Sequence, residues 1–167
     1  MRDNFLAAFG IGLAIIALAI VALVIGGIFF MQRGDVIQLP GAILKVRTAS
    51  LDEDSSVAVL DFRVSNPSGI IFEVRTVTLE LEGKDGKSYL GQPSSDGDAQ
   101  RLFDGMPVLG QKYNKTLMTR ERIFARASAD RMVAARFQAP VALLEARKRF
   151  IIHIEEVDGK TVDISER

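Results

Sequence analysis

His153 is the only histidine in this sequence and there is no cysteine, so general-base and thiolate chemistry have almost nothing to draw on. Nucleophilic catalysis requires a base within reach of a serine, threonine or cysteine. His153 lies between Ile152 and Ile154 in a run of strand period, and no Gly-x-Ser-x-Gly elbow occurs anywhere. It reads as a strand histidine on the less buried face. Zinc sites call for several His or Cys ligands, which this chain does not have. Carboxylates are plentiful, so a membrane-tethered hydrolase working through carboxylates alone stands as an alternative, although no pair is singled out. On these residues the chain reads as a non-enzyme, with no catalytic, cofactor-binding or metal-ligating residue and no cofactor.

Two acidic clusters invite a calcium reading: Asp52-Glu53-Asp54 and Ser95-Asp96-Gly97-Asp98. Neither has the D-x-[DN]-x-[DN]-G spacing that wraps oxygens around one ion, so both read as solvated turn carboxylates. Lys84-Asp85-Gly86-Lys87 is a turn of the same kind. No glycine-rich loop precedes a helix, and nucleotide binding has no support.

The cations are distributed unevenly. Residues 51–104 carry 11 acidic and 5 basic side chains, whereas residues 112–149 carry 10 basic and 3 acidic. The second group includes Arg120, Arg122 and Arg126, a candidate basic face toward anionic lipid or an anionic envelope polymer. The competing reading pairs these charges across a solvated sheet face, each pair contributing ~0.2–1 kcal/mol. The whole chain has 21 basic and 21 acidic residues, so bulk attraction to nucleic acid is not expected.

Stepping from side chains to the elements that hold them, the longest signal is N-terminal. Between Asp3 and Arg33 no side chain is charged over 29 residues. Residues 5–31 as a helix would reach roughly 40 Å at ~1.5 Å per residue, enough to span a ~30 Å hydrocarbon core. Ala17-Leu18-Ala19 has the small residues of a cleavage site, but the apolar run continues through IVALVIGGIFF where a cleaved leader turns polar. The segment reads as an uncleaved signal anchor contacting the bilayer through residues 5–31. Charges flanking it are few and lean slightly toward a cytoplasmic C-terminal side. The very short N-terminal tail before a long β domain argues the other way, and the expected location is the cell membrane with an extracytoplasmic C-terminal domain. A cytoplasmic tethered adaptor is the alternative.

The organisation expected is 1–34 anchor, 35–41 linker and 42–167 domain. After Pro40 the dominant period is two. Residues 42–50 and 57–65 read as strands, with Leu60, Phe62 and Val64 on one face. Residues 71–82 form a third strand whose phase slips near Arg75-Thr76, which indicates a bulge. Residues 84–87 turn into a short strand at 88–90. Residues 91–110 form a long connection with one or two helical turns over 98–103. Extended segments follow at 116–125 and 131–137, then a short helix near 140–148 opened by Pro140, and a closing hairpin of 149–157 with 160–164. About seven short strands point to a mainly β fold, a sandwich.

The segment VAVLDFRVSNPSGIIFEVRTVTLELEGKDGKSYLG, with a strand ending in Asn66-Pro67 and then Val74, Val77, Leu79, Gly86 and Leu90-Gly91, resembles the LEA14/WHy type of β-sandwich. The resemblance covers about residues 57–91 and implies an immunoglobulin-like fold, usually without catalytic residues. From Gln92 onward the chain departs from it. The reading reached is a single-pass membrane-anchored, non-enzymatic domain for binding or scaffolding in a cell-envelope complex. Its expected partner is a protein of the membrane or envelope, contacted through Leu102, Phe103, Met106 and Val108. A LEA-like stress-protective or ligand-holding domain is the further alternative.

Overall fold

Strand β2 (Ser56–Asn66) organises the molecule because both of its faces are covered. Its sequence shows why: Val57 to Phe62 is nearly continuous in apolar residues where a half-exposed strand would alternate. Ala58, Leu60, Phe62 and Val64 enter the main core, while Val57 and Val59 belong to a second cluster on the opposite face. The computed structural model describes residues 21–23 and 39–166, of which 21–23 are helical. Apart from 21–23 the expected anchor over 5–31 lies outside the described residues, as does most of the 35–41 linker. No helix among the described residues is long and apolar enough to cross a membrane. The chain separates into two units, Met1–Val36 and Ile37–Arg167, and all eight strands belong to the second.

The strands are β1 (Gly41–Ser50), β2, β3 (Phe72–Glu82), β4 (Ser88–Pro93), β5 (Arg122–Ile123), β6 (Ala127–Phe137), β7 (Arg149–Glu156) and β8 (Thr161–Ser165). They form one antiparallel sheet in the order β1-β2-β6-β4-β3-β7-β8, with β5 added to β3. The sheet curls so that its two halves share one interior. Phe62, Phe72, Phe137 and Phe150 fill it together with Leu60, Leu79, Leu81, Ile152 and Ile154, all buried. This is a mainly β, sandwich-like architecture. The two edges also approach each other, since a Cβ on Gly41 of β1 would run into the Ile164 side chain of β8.

Strand β4 is the hinge between the halves. Ser88 to Gly91 pair with β3, and Gln92 and Pro93 then pair with β6. Gly91 stands at that switch, where an added Cβ would lie 2.6 Å from the Phe137 ring and 2.8 Å from Ala135 Cβ. Only glycine lets the backbone come so close. Beyond the end of β4 the gap between β3 and β6 is closed by residues 115–121. There Leu117 N–H donates to Met132 O at 2.8 Å, and Arg120 N–H to Val74 O at 2.7 Å.

Several sequence expectations hold locally. The register shift in β3 falls between Val74 and Thr76, where the phase slip placed it. The 84–87 turn has Gly86 at φ 79°, and the β7–β8 hairpin turns at Asp158-Gly159. The helical turns expected over 98–103 lie within helix α1 (Asp96–Gly105), which is followed by a 3-10 turn (Pro107–Leu109). Others require correction. Strand β4 runs past the expected 88–90 to Pro93. The 116–125 segment is extended, but only Arg122–Ile123 is a strand, with Thr116 making an isolated bridge to Met132. The helix after Pro140 is α2 (Val141–Glu145), shorter than 140–148, and Pro140 is its N-cap residue.

Candidate functional site

Helix α1 starts where Ser95 caps it: the Ser95 Oγ accepts from Asp98 N–H at 3.1 Å and donates to Asp98 Oδ2 at 2.7 Å. Its buried residues, Ala99 and Phe103, are four apart and so lie on one stripe. That stripe packs with Ala49, Val57, Val59, Met132 and Ala134 on the outer face of β1, β2 and β6. Asp96 holds the start of the helix to the following loop. Its Oδ1 accepts from Lys112 Nζ at 2.6 Å and from Thr116 N–H at 3.0 Å, and these bonds keep its pKa at about 2. The Ser95–Asp98 run is thus a helix cap. Asp52 likewise accepts from Ser55 Oγ at 2.6 Å and from Asp54 N–H at 3.0 Å within a turn. No group of three or more His, Asp or Glu among the described residues is arranged to hold a metal ion.

The four apolar residues expected to touch a partner do not share one environment. Phe103 is buried under α1, Leu102 and Met106 are half-buried against the same cluster, and Val108 is 75% exposed. Beside them runs a groove of about 740 Å³. Its apolar lining includes Leu51, Pro93, Leu102 and Met106, and its polar lining includes Arg101 and Arg136. Arg101 is tied to Asp98, and Arg136 to Asp52.

The sequence reading did not single out the pair that fixes this arrangement. Arg47 of β1 and Asp61 of β2 are buried together on the outer face and joined by an ion pair. Arg47 Nη1 also donates to Leu109 O at 2.9 Å and Gln111 O at 2.7 Å, and Asp61 Oδ1 accepts from Asn114 Nδ2 at 2.9 Å. The guanidinium lies 4.8 Å from the Phe103 ring centroid and 5.6 Å from that of Tyr113. One signal was available: Asp61 interrupts an otherwise apolar run whose two faces both had to be covered.

The cations of residues 112–149 are mostly spent within the fold. Lys112 meets Asp96, Arg122 meets Glu73, Arg131 meets Glu121, Arg147 meets Glu166, and both Lys148 and Arg149 meet Glu82. Arg120 and Arg126 are exposed and have no ion-pair partner among the described residues. Both occupy left-handed backbone, at φ 66° and 56°. Of the basic trio, Arg122 on β5 is engaged, while Arg120 and Arg126, on the turns either side of it, are open.

His153 lies half-buried on β7 between Asp163, 2.7 Å from Nδ1, and Glu80, 2.8 Å from Nε2. Burial alone would lower its pKa; the two carboxylates outweigh it and raise it. Ser88 and His153 in turn hold Glu80 below the usual carboxylate range. The arrangement is an acid–His–acid bridge across β3, β7 and β8, and among the described residues the imidazole's hydrogen-bond partners are Asp163 and Glu80. Glu156 is the opposite case. It is 2% exposed, its Oε2 has no hydrogen-bond partner, and burial raises its pKa.

No protein-family model matches the sequence, and no curated protein matches it. Among solved structures it is similar to an uncharacterised β-sandwich protein from Clostridium difficile 630. The identity is 11% over 78% of this chain and 86% of that one, with a TM-score of 0.41. It is also similar to the archaellum periplasmic stator protein FlaG from Sulfolobus acidocaldarius, at 12% identity, 77% and 99% coverage and a TM-score of 0.33. The complex of FlaF and FlaG from the same organism matches at 10% identity, 75% and 87% coverage and a TM-score of 0.35.

Proposed function

We propose that this chain is a single-pass membrane protein whose immunoglobulin-like, LEA14/WHy-like sandwich lies outside the cytoplasm and acts without catalysis, by holding a protein partner in a cell-envelope assembly. The uncharged stretch of 29 residues supports the anchor. The observation that carries the binding role is the groove of about 740 Å³ alongside α1, with half-buried Leu102 and Met106 in its wall and the exposed Val108 next to it. The lining mixes apolar side chains with polar ones, Gln92, Asp98, Arg101 and Arg136 among them, and a groove of this size can hold a peptide segment. Its occupant in this reading is an apolar segment of a neighbouring envelope protein carrying an acidic residue toward Arg101 and Arg136. The interior between the sheet halves is filled by phenylalanine and aliphatic side chains, which favours an external groove over a ligand held inside.

The test is photocrosslinking in the native membrane with a photoreactive residue at Met106 or Val108, and at Leu90, 73% exposed, as the comparison site. A discrete adduct at Met106 and Val108 that is lost on Arg101→Glu/Arg136→Glu, with none at Leu90, is the expected result. Equal labelling at all three positions, or none, would contradict the groove as the contact.

A further inference from the structure

We propose that the end of the sandwich formed by residues 67–71, 124–126 and 157–160 rests on an anionic lipid surface. In this posture Ile70, Ile71 and Phe124 enter the headgroup layer, and Arg120 and Arg126 meet lipid phosphates. The proposal rests on the anchor reading above and adds which end of the domain faces the bilayer, and through which side chains.

Three independent features meet at this end. Large apolar side chains are left in the open: Ile70 is 57% exposed, Ile71 47% and Phe124 62%. Phe72 pairs with Ile123 in the β3–β5 ladder, and both of these are buried. Ile71 and Phe124 are the next residues outward on the two chains and, by strand alternation, emerge on the opposite face. Clustered exposed apolar residues of this kind mark a surface that is covered in use. Of the two open cations, Arg126 stands beside them and Arg120 lies farther up the β3–β5 ladder, at the level of Val74. Arg126 N–H donates to Ser68 O at 3.2 Å, within the β2–β3 loop, and Arg120 N–H donates to Val74 O near the start of β3. Both arginines hold a left-handed conformation that an ordinary side chain adopts only at a cost, and glycine without one. Strained backbone of this kind clusters at functional sites.

The third feature is where the chain arrives. Pro40 O accepts from Ser65 N–H at 2.9 Å, one residue before Asn66. The Asn66 side chain donates to Ile70 O at 2.8 Å and Ile123 O at 3.0 Å. Thus the apolar and basic end is also the end at which the N-terminal segment joins the domain. Charge complementarity then selects anionic lipid: each cation near such a surface contributes enough that losing two shifts docking by roughly 30-fold, or ~2 kcal/mol at ~1 kcal/mol per cation.

The chain has no tryptophan, so a single introduced one reports without background. The full chain carrying Phe124→Trp is reconstituted into vesicles of equimolar phosphatidylcholine and phosphatidylglycerol with brominated acyl chains. A second chain carries Val108→Trp instead. The proposal expects blue-shifted, quenched emission from the first and water-like, unquenched emission from the second. It expects the quenching to fall in phosphatidylcholine alone, on raising salt, and in the Arg120→Gly/Arg126→Gly variant. Glycine accepts the same backbone, so that variant keeps its thermal melt; should it not fold, the salt series reads the same dependence without it. A chain that fails to float with vesicles sinks the anchor reading. A chain that floats while Phe124→Trp stays unquenched overturns the lipid contact and leaves the anchor standing, and a protein covering this end would give that second result.

Discussion

Glu156 shows how a single residue reports on its surroundings. It pairs across the ladder with Val74 at the end where the chain joins the domain, and its carboxyl is buried with one oxygen unpartnered. Burial penalises the charged form, so the folded-state pKa lies above the ordinary 4.5. An acid raised in this way binds more protons folded than unfolded between the two pKa values. Stability on its account is therefore present below pH 4.5 and lost as pH rises through the folded value. Replacing Glu156 by Gln removes the penalty and should raise stability at pH 7, with the gain fading as pH falls through the folded value and absent below pH 4.5. Urea denaturation at pH 4 and pH 7 checks this, and equal stability of the two proteins at pH 7 would contradict it. His153 runs with the opposite chemistry and the same sign: its raised pKa adds stability below about 6.5 that is lost above the folded value.

At the scale of elements, the segment from α1 to the 3-10 turn is a lid on the outer face of β1, β2 and β6, and Arg47 fastens it. Truncating Arg47 to Ala leaves Asp61 buried without its ion-pair partner and frees the Leu109 and Gln111 carbonyls. That should cost about 3–5 kcal/mol, whereas Arg47→Met together with Asp61→Leu should recover most of it, since two apolar side chains replace two paired charges. Thermal unfolding of the single and double variants measures the difference. If the single change proves neutral, the lid is held by Phe103 and Ala99 alone. The same lid explains what the sequence withheld. Alternation made β3, its bulge, the closing hairpin and the Leu60–Val64 half of β2 readable, because one face of each had to be apolar. Helix α1 was legible only as one or two turns over 98–103, because its surface is mostly polar and the inward stripe of Ala99 and Phe103 is too narrow to mark its full length. The cover it gives was nevertheless written into β2, whose Val57-Ala58-Val59-Leu60 run is apolar on both faces and needs a neighbour on each. The basic trio was legible as a cluster but not in its pairing, because Glu73 meets Arg122 only through the β3–β5 ladder, 49 residues away in sequence.

The whole molecule combines an uncharged N-terminal stretch, a filled sandwich, and two outward-facing features at different places on that sandwich. The groove along α1 is one, and the Ile70, Ile71 and Phe124 end with Arg120 and Arg126 is the other. A domain held against lipid at one end and presenting a groove on its side is suited to arranging other proteins at a membrane. That role depends first on anchor and side. Protease treatment of intact spheroplasts containing the C-terminally tagged full chain, followed by alkaline extraction of the membranes, tests both together. The account predicts that the tag is digested without permeabilisation and that, before digestion, the chain stays with the membrane through alkaline extraction. A tag protected until detergent is added, or a chain released by the alkaline wash, would contradict it.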